Sequence, residues 1–478
     1  MKLDEFLQQK YNYNPDVKLE IQSYIDFWEK LYKGDVSDIN YYYIYNGKQK
    51  IGQIRYTLNM PKEISEDWSD LLWSEKCEIS LKDETSQDQF NELIDNLNLY
   101  EVINQLLEKA GALGTEASVV NVYDLLMNEQ GMTIDVSNAK TRVDIVDIDW
   151  IFPISWNNKE IYECAFGSVQ YIGGKKYIVL SVHKVDERTK NYVIYNHLFL
   201  DNQGTITEVE VDNDTFKVFD TKSPKKWFSV FRPPLTNNLF KNSPFSLPYY
   251  ANSVDCVKAC DITYDALKNE INDGRKRTFA RADMFDYEDG EEKMVFDPKD
   301  VTIYRLPKGA TKDDLIQTDT DTLRTNDMIE TLNTQLNILG SKVGFGQNHY
   351  HFDGQNLNTA TAVVSSNSKL FRRKKKLEIG YESSIYDLIQ AICYASSTFG
   401  KYNINTDDMV IKFDDSIIED KEAESIRAQR EVNSGLISKV EYRMRIFGET
   451  EEIARKKIEE IEQSNPSIED LTGTRGEQ

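Results

Sequence analysis

The strongest constraint on the fold of this 478-residue chain is a pair of long amphipathic segments separated by a short acidic stretch. In each segment, over 251–273 and 324–343, apolar or small side chains recur at alternating intervals of three and four residues. Such stripes are seams along which one helix packs against another. The sequence therefore predicts two long helices, and the spacing leaves open whether they pack within one chain or between copies. The first stripe contains Ser253, Val257, Cys260, Tyr264, Leu267 and Ile271, and the second contains Ile329, Leu332, Leu336, Leu339 and Val343.

The stretch between these helices, 275–322, is predicted to be irregular and rich in short strands. Asp273-Gly274 ends the first helix, and strand candidates within 277–287, 293–297 and 301–306 surround a turn at Asp289-Gly290. Between 283 and 321 there are 12 Asp and Glu residues against five Lys and Arg. An acidic face of this kind is either an ordinary solvated surface or an electrostatic docking face. The candidate docking residues are Asp286, Glu288, Asp289, Glu291 and Glu292.

Helical and β-rich segments alternate in the rest of the chain. Helical patterns cover 4–33, 58–75, 87–110 and 359–397, and Pro61 is tolerated in the first turn of the second of these. A capping box at Ser438 and Glu441 and a stop at Gly448 mark C-terminal helices. A β-rich region is expected over about 117–231, and an α+β fold with interleaved domains follows. Its strand candidates are 119–123, 141–146, 176–183, 192–198 and 205–211, with one further short strand at 409–413.

The charge balance and the cysteines limit the classes of protein to which this chain can belong. Lys and Arg number 57 against 80 Asp and Glu, a net charge of −23. Proteins that grip DNA tightly usually show the opposite balance, because neutralising phosphates drives their affinity. Five cysteines without a CxxC pair predict no disulfide framework. The N-terminus lacks the layout of a secretory signal, and no apolar run approaches the roughly 18 residues of a membrane span, so we expect a cytoplasmic protein without membrane contact.

A polar and aromatic loop, GFGQNHYHFDGQN, follows the second long helix. Its side chains offer hydrogen-bond donors and flat rings without a permanent strong charge, which suits weak and quickly exchanged contacts with phosphates. The alternative is an ordinary surface loop. The pair His349-x-His351 with Asp353 also suggests a metal site, but no Cys or third His accompanies it, so no metal is expected. The candidate contact residues are Gln347, Asn348, His349, Tyr350 and His351.

Motifs of catalysis are missing from the sequence. There is no GxxxxGK[ST] phosphate loop, no GxSxG and no HExxH. We therefore expect neither an enzyme nor a bound cofactor. Scattered carboxylates leave a nuclease or nucleotidyltransferase as the enzymatic alternative.

Five segments follow one another along nearly the whole chain: NYYYIYNGKQKIGQIRYTLNMPKEISEDWSDLLWSEK (40–76), WIFPISWNNKEIYECAF (150–166), PFSLPYYANSVDCVKACDITYDALKNE (244–270), LNTATAVVSSNSKLFRRKKKLE (357–378) and FDDSIIEDKEAESIRAQREVNSGLISKVEYRMRIFGETEE (413–452). In this order they resemble segments of the portal proteins of tailed bacteriophages, in particular those of siphophages that infect Gram-positive hosts. The competing hypothesis is another phage head or connector protein that binds DNA or capsid, but such a protein has no reason to carry two long helices around an acidic insert.

The resemblance implies the portal fold and its parts. It divides the chain into a wing (1–250 and 359–418), two stem helices (251–274 and 323–343), a clip (275–322), a tunnel loop (344–358) and a crown (419–478). It further implies a ring of twelve copies at a capsid vertex, present in the virion and in the host cytoplasm during assembly. Double-stranded DNA would pass through the ring during packaging and ejection. The implied partners are the large terminase, the head-completion adaptor, and the major capsid and scaffolding proteins.

The run KLFRRKKK lies in the third long helix and carries six positive charges. Successive residues on a helix point about 100° apart, so the six cannot all face one partner. We expect two or three of them to face the DNA and the others to pair with the acidic surface of a neighbouring subunit. The alternative is a solvated helix face. The six residues are Lys369, Arg372, Arg373, Lys374, Lys375 and Lys376.

Overall fold

The computed structural model divides into two compact units, Met1–Phe413 and Asp414–Gln478. Across the described residues, no helix combines the length and apolar character required to span a lipid bilayer. The structure describes residues 1–45, 49–74, 76–123, 126–127, 133–135, 140–157, 160–209, 217–274, 277–281, 286–288, 291–293, 303–306, 316–319, 322–346, 349–351, 360–398, 402–414 and 421–464.

The helices predicted before residue 115 are present, but two of the predicted segments are each split in two. Asn12 (φ 60°) separates the first pair and Asn98 (φ 47°) separates the last pair. Asparagine adopts this left-handed conformation more readily than most residues, and a single such residue interrupts the helical hydrogen-bond ladder. Spacing alone did not reveal these breaks. The helices are α1 (Leu3–Tyr11), α2 (Asp16–Lys33), α3 (Met60–Leu72), α4 (Glu84–Leu97) and α5 (Leu99–Leu113).

The β-rich region contains an antiparallel sheet in the order β12-β11-β10-β9-β8, with β13 paired to β11. Four of the five strand candidates of this region are confirmed, and the fifth, 205–211, is a strand over Thr205–Glu208, with 210 and 211 outside the described residues. Strands β5, β6, β8, β9, β13 and β14 were not predicted. Pro153 disfavours a strand, but β8 lies at the sheet edge, where proline is tolerated. The strands before residue 232 are β1 (Tyr41–Tyr45), β2 (Lys50–Ile54), β3 (Glu78–Ser80), β4 (Glu116–Tyr123), β5 (Leu126–Met127), β6 (Thr133–Asp135), β7 (Lys140–Val146), β8 (Ile151–Trp156), β9 (Ile161–Ile172), β10 (Lys175–Val185), β11 (Tyr192–Asn202), β12 (Thr205–Glu208), β13 (Val218–Asp220) and β14 (Phe228–Phe231).

The two long helices are confirmed as α6 (Val254–Asp273) and α7 (Thr325–Val343). They pack against each other within one chain. Six residues of the two stripes are buried in the large core that also covers α3 and α5: Val257, Cys260, Leu332, Leu336, Leu339 and Val343. Tyr264, Leu267 and Ile329 are half-buried, and Ile271 is 52% exposed. The seam is therefore an intrachain core near its buried end and is open towards the insert.

The insert between α6 and α7 contains short strands within the candidates 277–287 and 301–306, whereas residues 294–297 of the third candidate lie outside the described residues and β19 was not predicted. One sheet places β15 between β18, which is parallel to it, and β19, which is antiparallel. A separate hairpin pairs β16 with β17. The strands are β15 (Arg277–Arg281), β16 (Asp286–Glu288), β17 (Glu291–Lys293), β18 (Ile303–Leu306) and β19 (Ile316–Asp319).

The remaining elements follow the sequence closely. Helix α8 covers Ala360–Thr398, and β20 (Val410–Lys412) pairs with β3. In the second unit, Ser438 accepts a hydrogen bond from the Glu441 amide at 3.1 Å and its own amide donates to the Glu441 carboxylate at 2.7 Å, so the capping box is confirmed. Gly448 ends that helix with φ 65°. The helices of this unit are α9 (Lys421–Asn433), α10 (Lys439–Phe447) and α11 (Glu451–Ser464).

Candidate functional site

The loop after α7 begins at a glycine that no other residue could replace without strain. Gly344 has φ 110°, and a Cβ added there would lie 2.7 Å from the Arg373 side chain and 3.2 Å from the Trp68 ring. The next residue, Phe345, is buried and stacks on Trp68 with ring centroids 4.5 Å apart. Helix α7 therefore ends directly against α3 and α8, which fixes the starting point of the loop.

His349 and Tyr350 continue this stack. The His349 ring lies parallel to Phe345 at 4.2 Å, and Tyr350 meets both rings edge-on. His349 Nε2 lies 3.0 Å from the Asp67 carboxylate. Burial of Tyr350, together with the negative charge of Asp67, raises the pKa of its hydroxyl far above the ordinary value. The loop is thus held against α3 by an aromatic stack and a charged contact.

The predicted loop residues are only partly described. His349 retains about a third of its side-chain exposure at 32%, and His351 is half-buried. Gln347, Asn348 and Asp353 lie outside the described residues. Within the described ranges, no group of three His, Cys, Asp or Glu side chains is arranged to hold a metal ion. His349 is instead paired with Asp67, a partner that the sequence did not indicate because 282 residues separate the two.

The anchoring of the loop by His349 can be tested with two variants. Replacing His349 with Ala removes both the stack and the charged contact, and should lower the free energy of unfolding by about 1 kcal/mol. Hydrogen exchange of the amides in 344–351 should become faster. The control His349→Phe keeps the stack and should retain most of the protection. Equal exchange in His349→Ala and wild type would contradict the anchoring role.

The six cations of the basic run in α8 differ in how deeply they are buried, although they lie close together in the sequence. Lys374 is fully buried and pairs with Glu378 at 2.7 Å, and Lys375 reaches the same carboxylate at 3.1 Å. Lys369 donates to the Ser341 carbonyl oxygen at 2.5 Å. The pairing partner of Lys374 and Lys375 is therefore a residue of the same chain, where we expected a neighbouring subunit.

The other three cations have different surroundings. Arg373 is half-buried against Gly344, and burial lowers its pKa. Arg372 and Lys376 are exposed. Lys369 is exposed as well, with its ammonium hydrogen-bonded to Ser341, so three of the six are exposed, in keeping with the argument that the run cannot face one partner as a whole.

An ion pair joins the two ends of the insert. Arg324 donates to both carboxylate oxygens of Glu270, at 3.0 and 2.7 Å, and its amide donates to the same group at 3.1 Å. These bonds hold the pKa of Glu270 at about 2. Sequence reasoning missed the pair because its members are 54 residues apart, although both stand at helix ends.

Replacing Arg324 with Ala should loosen the base of the insert. Because the pKa of Glu270 is depressed, the stabilisation that it contributes is present above its ordinary value of 4.5 and disappears as the pH falls towards about 2. Amides in the first turn of α7 should therefore exchange faster in Arg324→Ala than in wild type at pH 7, and this difference should vanish near pH 2. A difference that persists at acid pH would show that Glu270 is not the partner that matters.

Two buried carboxylates on α6 were also missed. Asp261 accepts hydrogen bonds from the Asn40 amide, the Thr57 hydroxyl and the Leu58 backbone, at 2.9–3.0 Å. One turn further on, Asp265 accepts from Tyr42 at 3.1 Å. Burial raises the pKa of Asp261. The two carboxylates fasten the segment around β1 and β2 to α6.

A model of one protein family matches most of the chain. The family described as "Phage portal protein, SPP1 Gp6-like" matches residues 13–467. No curated protein matches the chain.

The solved structures that match this chain are only distantly similar to it. Chains in "Neck of native GTA particle computed with C12 symmetry", "Neck of empty GTA particle computed with C6 symmetry" and "Virion of native gene transfer agent (GTA) particle" have 9% identity, with TM-scores of 0.32, 0.34 and 0.33. Each alignment covers 81% of this chain and 88% of the other. TM-scores this low support no conclusion about this chain. The family match does support one, because it extends over nearly all 478 residues. The chain belongs to the SPP1 Gp6-like family of phage portal proteins.

Proposed function

We propose that twelve copies of this chain form a ring at one capsid vertex, and that double-stranded DNA enters and leaves through its channel. One observation carries the proposal: α6 and α7 form a packed pair with an insert at one end and an anchored loop at the other. Repeated around an axis, such pairs enclose a pore. The ring belongs to the virion and assembles in the host cytoplasm with the major capsid and scaffolding proteins.

The channel surface is expected to hold DNA only weakly. Arg372, Lys376 and His349 are the exposed groups of the site that we propose face the DNA. Two accessible cations in each of twelve copies add up to about 24 charges, roughly a third of what the whole basic run would supply. Fewer phosphate contacts hold the DNA less tightly, which suits DNA that must slide through the channel. The nucleotide that drives packaging is hydrolysed by a partner, the large terminase.

Complementation tests the role in packaging. Phage heads assembled without this chain should contain no nuclease-protected DNA, and supplying the wild-type chain should restore it. The purified chain alone should hydrolyse no ATP. Heads that fill with DNA in its absence would contradict the proposal.

The insert is the proposed docking face for the large terminase and then for the head-completion adaptor. The β16–β17 register places the acidic positions Glu288 and Glu291 opposite each other in the hairpin. Reversing the charge of Asp286, Glu288, Asp289, Glu291 and Glu292 should weaken terminase binding in a pull-down at least roughly tenfold.

A control with charge reversed elsewhere in the chain distinguishes a local effect from a general change in net charge. Reversing the exposed residues Glu452, Glu459 and Glu460 of α11 also adds positive charge, but in the second unit. Binding should persist there. Unchanged terminase binding after charge reversal in the insert would contradict the proposed docking face.

A further inference from the structure

The hairpin β1–β2 exposes an unusual concentration of large apolar side chains. In the described residues its strands form a two-stranded sheet of their own. Tyr41 and Ile54 are directly opposite and therefore share one face with Tyr43. These three side chains are 46%, 51% and 63% exposed. The Tyr41 and Tyr43 rings pack edge-to-face at 5.0 Å, so this tyrosine face (Tyr41, Tyr43 and Ile54) is ordered without a covering layer.

The opposite face of the hairpin is fixed to α6. Tyr42 donates to Asp265, and the Tyr56 amide donates to the same carboxylate at 3.3 Å. Asp261 holds the flanking residues Asn40 and Leu58. A two-stranded hairpin alone is marginally stable in water. These buried acceptors therefore hold it in place, and the tyrosine face points away from its own helix.

Charge favours a second copy of this chain as the occupant. Each copy carries a net charge of −23, so two copies repel each other over most of their surfaces. The three side chains of the tyrosine face carry no charge, and a cation, Lys50 Nζ, lies 5.9 Å from the Tyr43 ring centre. Copies can therefore approach closely there. Tyrosine is also among the side chains enriched at the centres of protein interfaces.

The chain itself offers a complementary surface. Ile262 on α6 and Ile338 on α7 are 50% and 43% exposed, on helices whose other stripes are buried. Ile271, at the open end of the seam, is 52% exposed. In a ring, the helix pair of one copy contacts the next copy. Exposed apolar side chains on that pair can pack against a tyrosine-rich sheet face.

We propose that the tyrosine face of the β1–β2 hairpin is a contact between neighbouring copies in the ring, covering exposed isoleucines of the next copy's α6–α7 pair. This interface rests on the proposed function, because it requires that rings form. Within the ring, Asp261 and Asp265 act as positioning residues, since they hold the hairpin at a fixed place on the helix that lines the pore.

A double variant with a matched control tests the contact. Tyr43→Ser with Ile54→Ser removes the apolar face, whereas Tyr171→Ser with Ile172→Ser removes a Tyr and an Ile of similar exposure, 74% and 55%, from strand β9. Mass photometry of diluted rings should show the half-dissociation concentration rising at least roughly tenfold in the first variant and remaining within about twofold of wild type in the control. The dissociated chains should melt at the same temperature in all three proteins.

A photo-crosslinking amino acid at position 43 keeps an aromatic side chain and serves as a second readout. Irradiated rings should yield covalent multiples of this chain, and the same probe at position 171 should not. Equal ring stability in both double variants, or crosslinks from position 43 only to a different protein in whole virions, would overturn the inference while leaving the ring intact. A wild-type chain that never assembles would instead overturn the proposed function.

Discussion

Replacing Leu336 with Asp should unfold the Met1–Phe413 unit. Leu336 is 2% exposed and packs in the core shared by α3, α6 and α7. A carboxylate placed there has no cationic partner, and burying it costs several kcal/mol. Because most domains are stable by about 5–15 kcal/mol, the loss should remove most of the folded population at 37 °C. Circular dichroism with urea titration measures the change, and Leu332→Asp should behave in the same way.

Ile338 supplies the control on the same helix. It is 43% exposed, so the dissociated chain of Ile338→Asp should keep its free energy of unfolding within about 0.5 kcal/mol of wild type. Ring formation by this variant is a separate question, because Ile338 belongs to the proposed contact between copies. Wild-type stability in Leu336→Asp would show that α7 does not pack along the predicted stripe.

Replacing Lys374 with Ala should destabilise the chain by about 3 kcal/mol. Lys374 has no exposed surface, and the carboxylate that it pairs with, Glu378, is itself nearly buried. Removing one member of such a pair leaves a buried charge without its compensation. Lys375, 3.1 Å from the same carboxylate, offsets part of the loss, which places the effect at the low end of the range for buried pairs.

Lys376 provides the comparison within the same basic run. It is exposed, so Lys376→Ala should change the free energy of unfolding by less than about 0.5 kcal/mol. The double variant Lys374→Met with Glu378→Met should recover most of the stability, since apolar side chains of similar size can replace a buried pair. Equal effects of Lys374→Ala and Lys376→Ala would show that both side chains are solvated.

The parts of the fold that depend on local spacing could be predicted from the sequence. The stripes of α6 and α7, the capping box at Ser438 and most of the longer strands depend on residues close together in the chain. The break at Asn98 could not be predicted in this way, because Asn91 and Asn96 lie within α4 and only the left-handed backbone of Asn98 ends that helix. Strand β8 was not predicted because it contains Pro153. Proline is tolerated there because β8 lies at the sheet edge, a position that the sequence does not show.

The site was harder to predict, because its contacts join distant residues. Nothing near His349 indicates that Asp67, 282 residues away, would hold it, and the Glu270–Arg324 pair joins residues 54 apart across the insert. Lys374 is different. Its partner Glu378 is four residues away, a spacing typical of helical ion pairs, so the signal was present within the basic run and was not used.

Electron microscopy of the purified wild-type chain tests the central claim most directly. The account predicts closed rings of twelve with an axial opening, and a reconstruction in which the α6–α7 pairs surround that opening. Single chains under every condition, or rings in which the α6–α7 pairs lie on the outer rim, would contradict it.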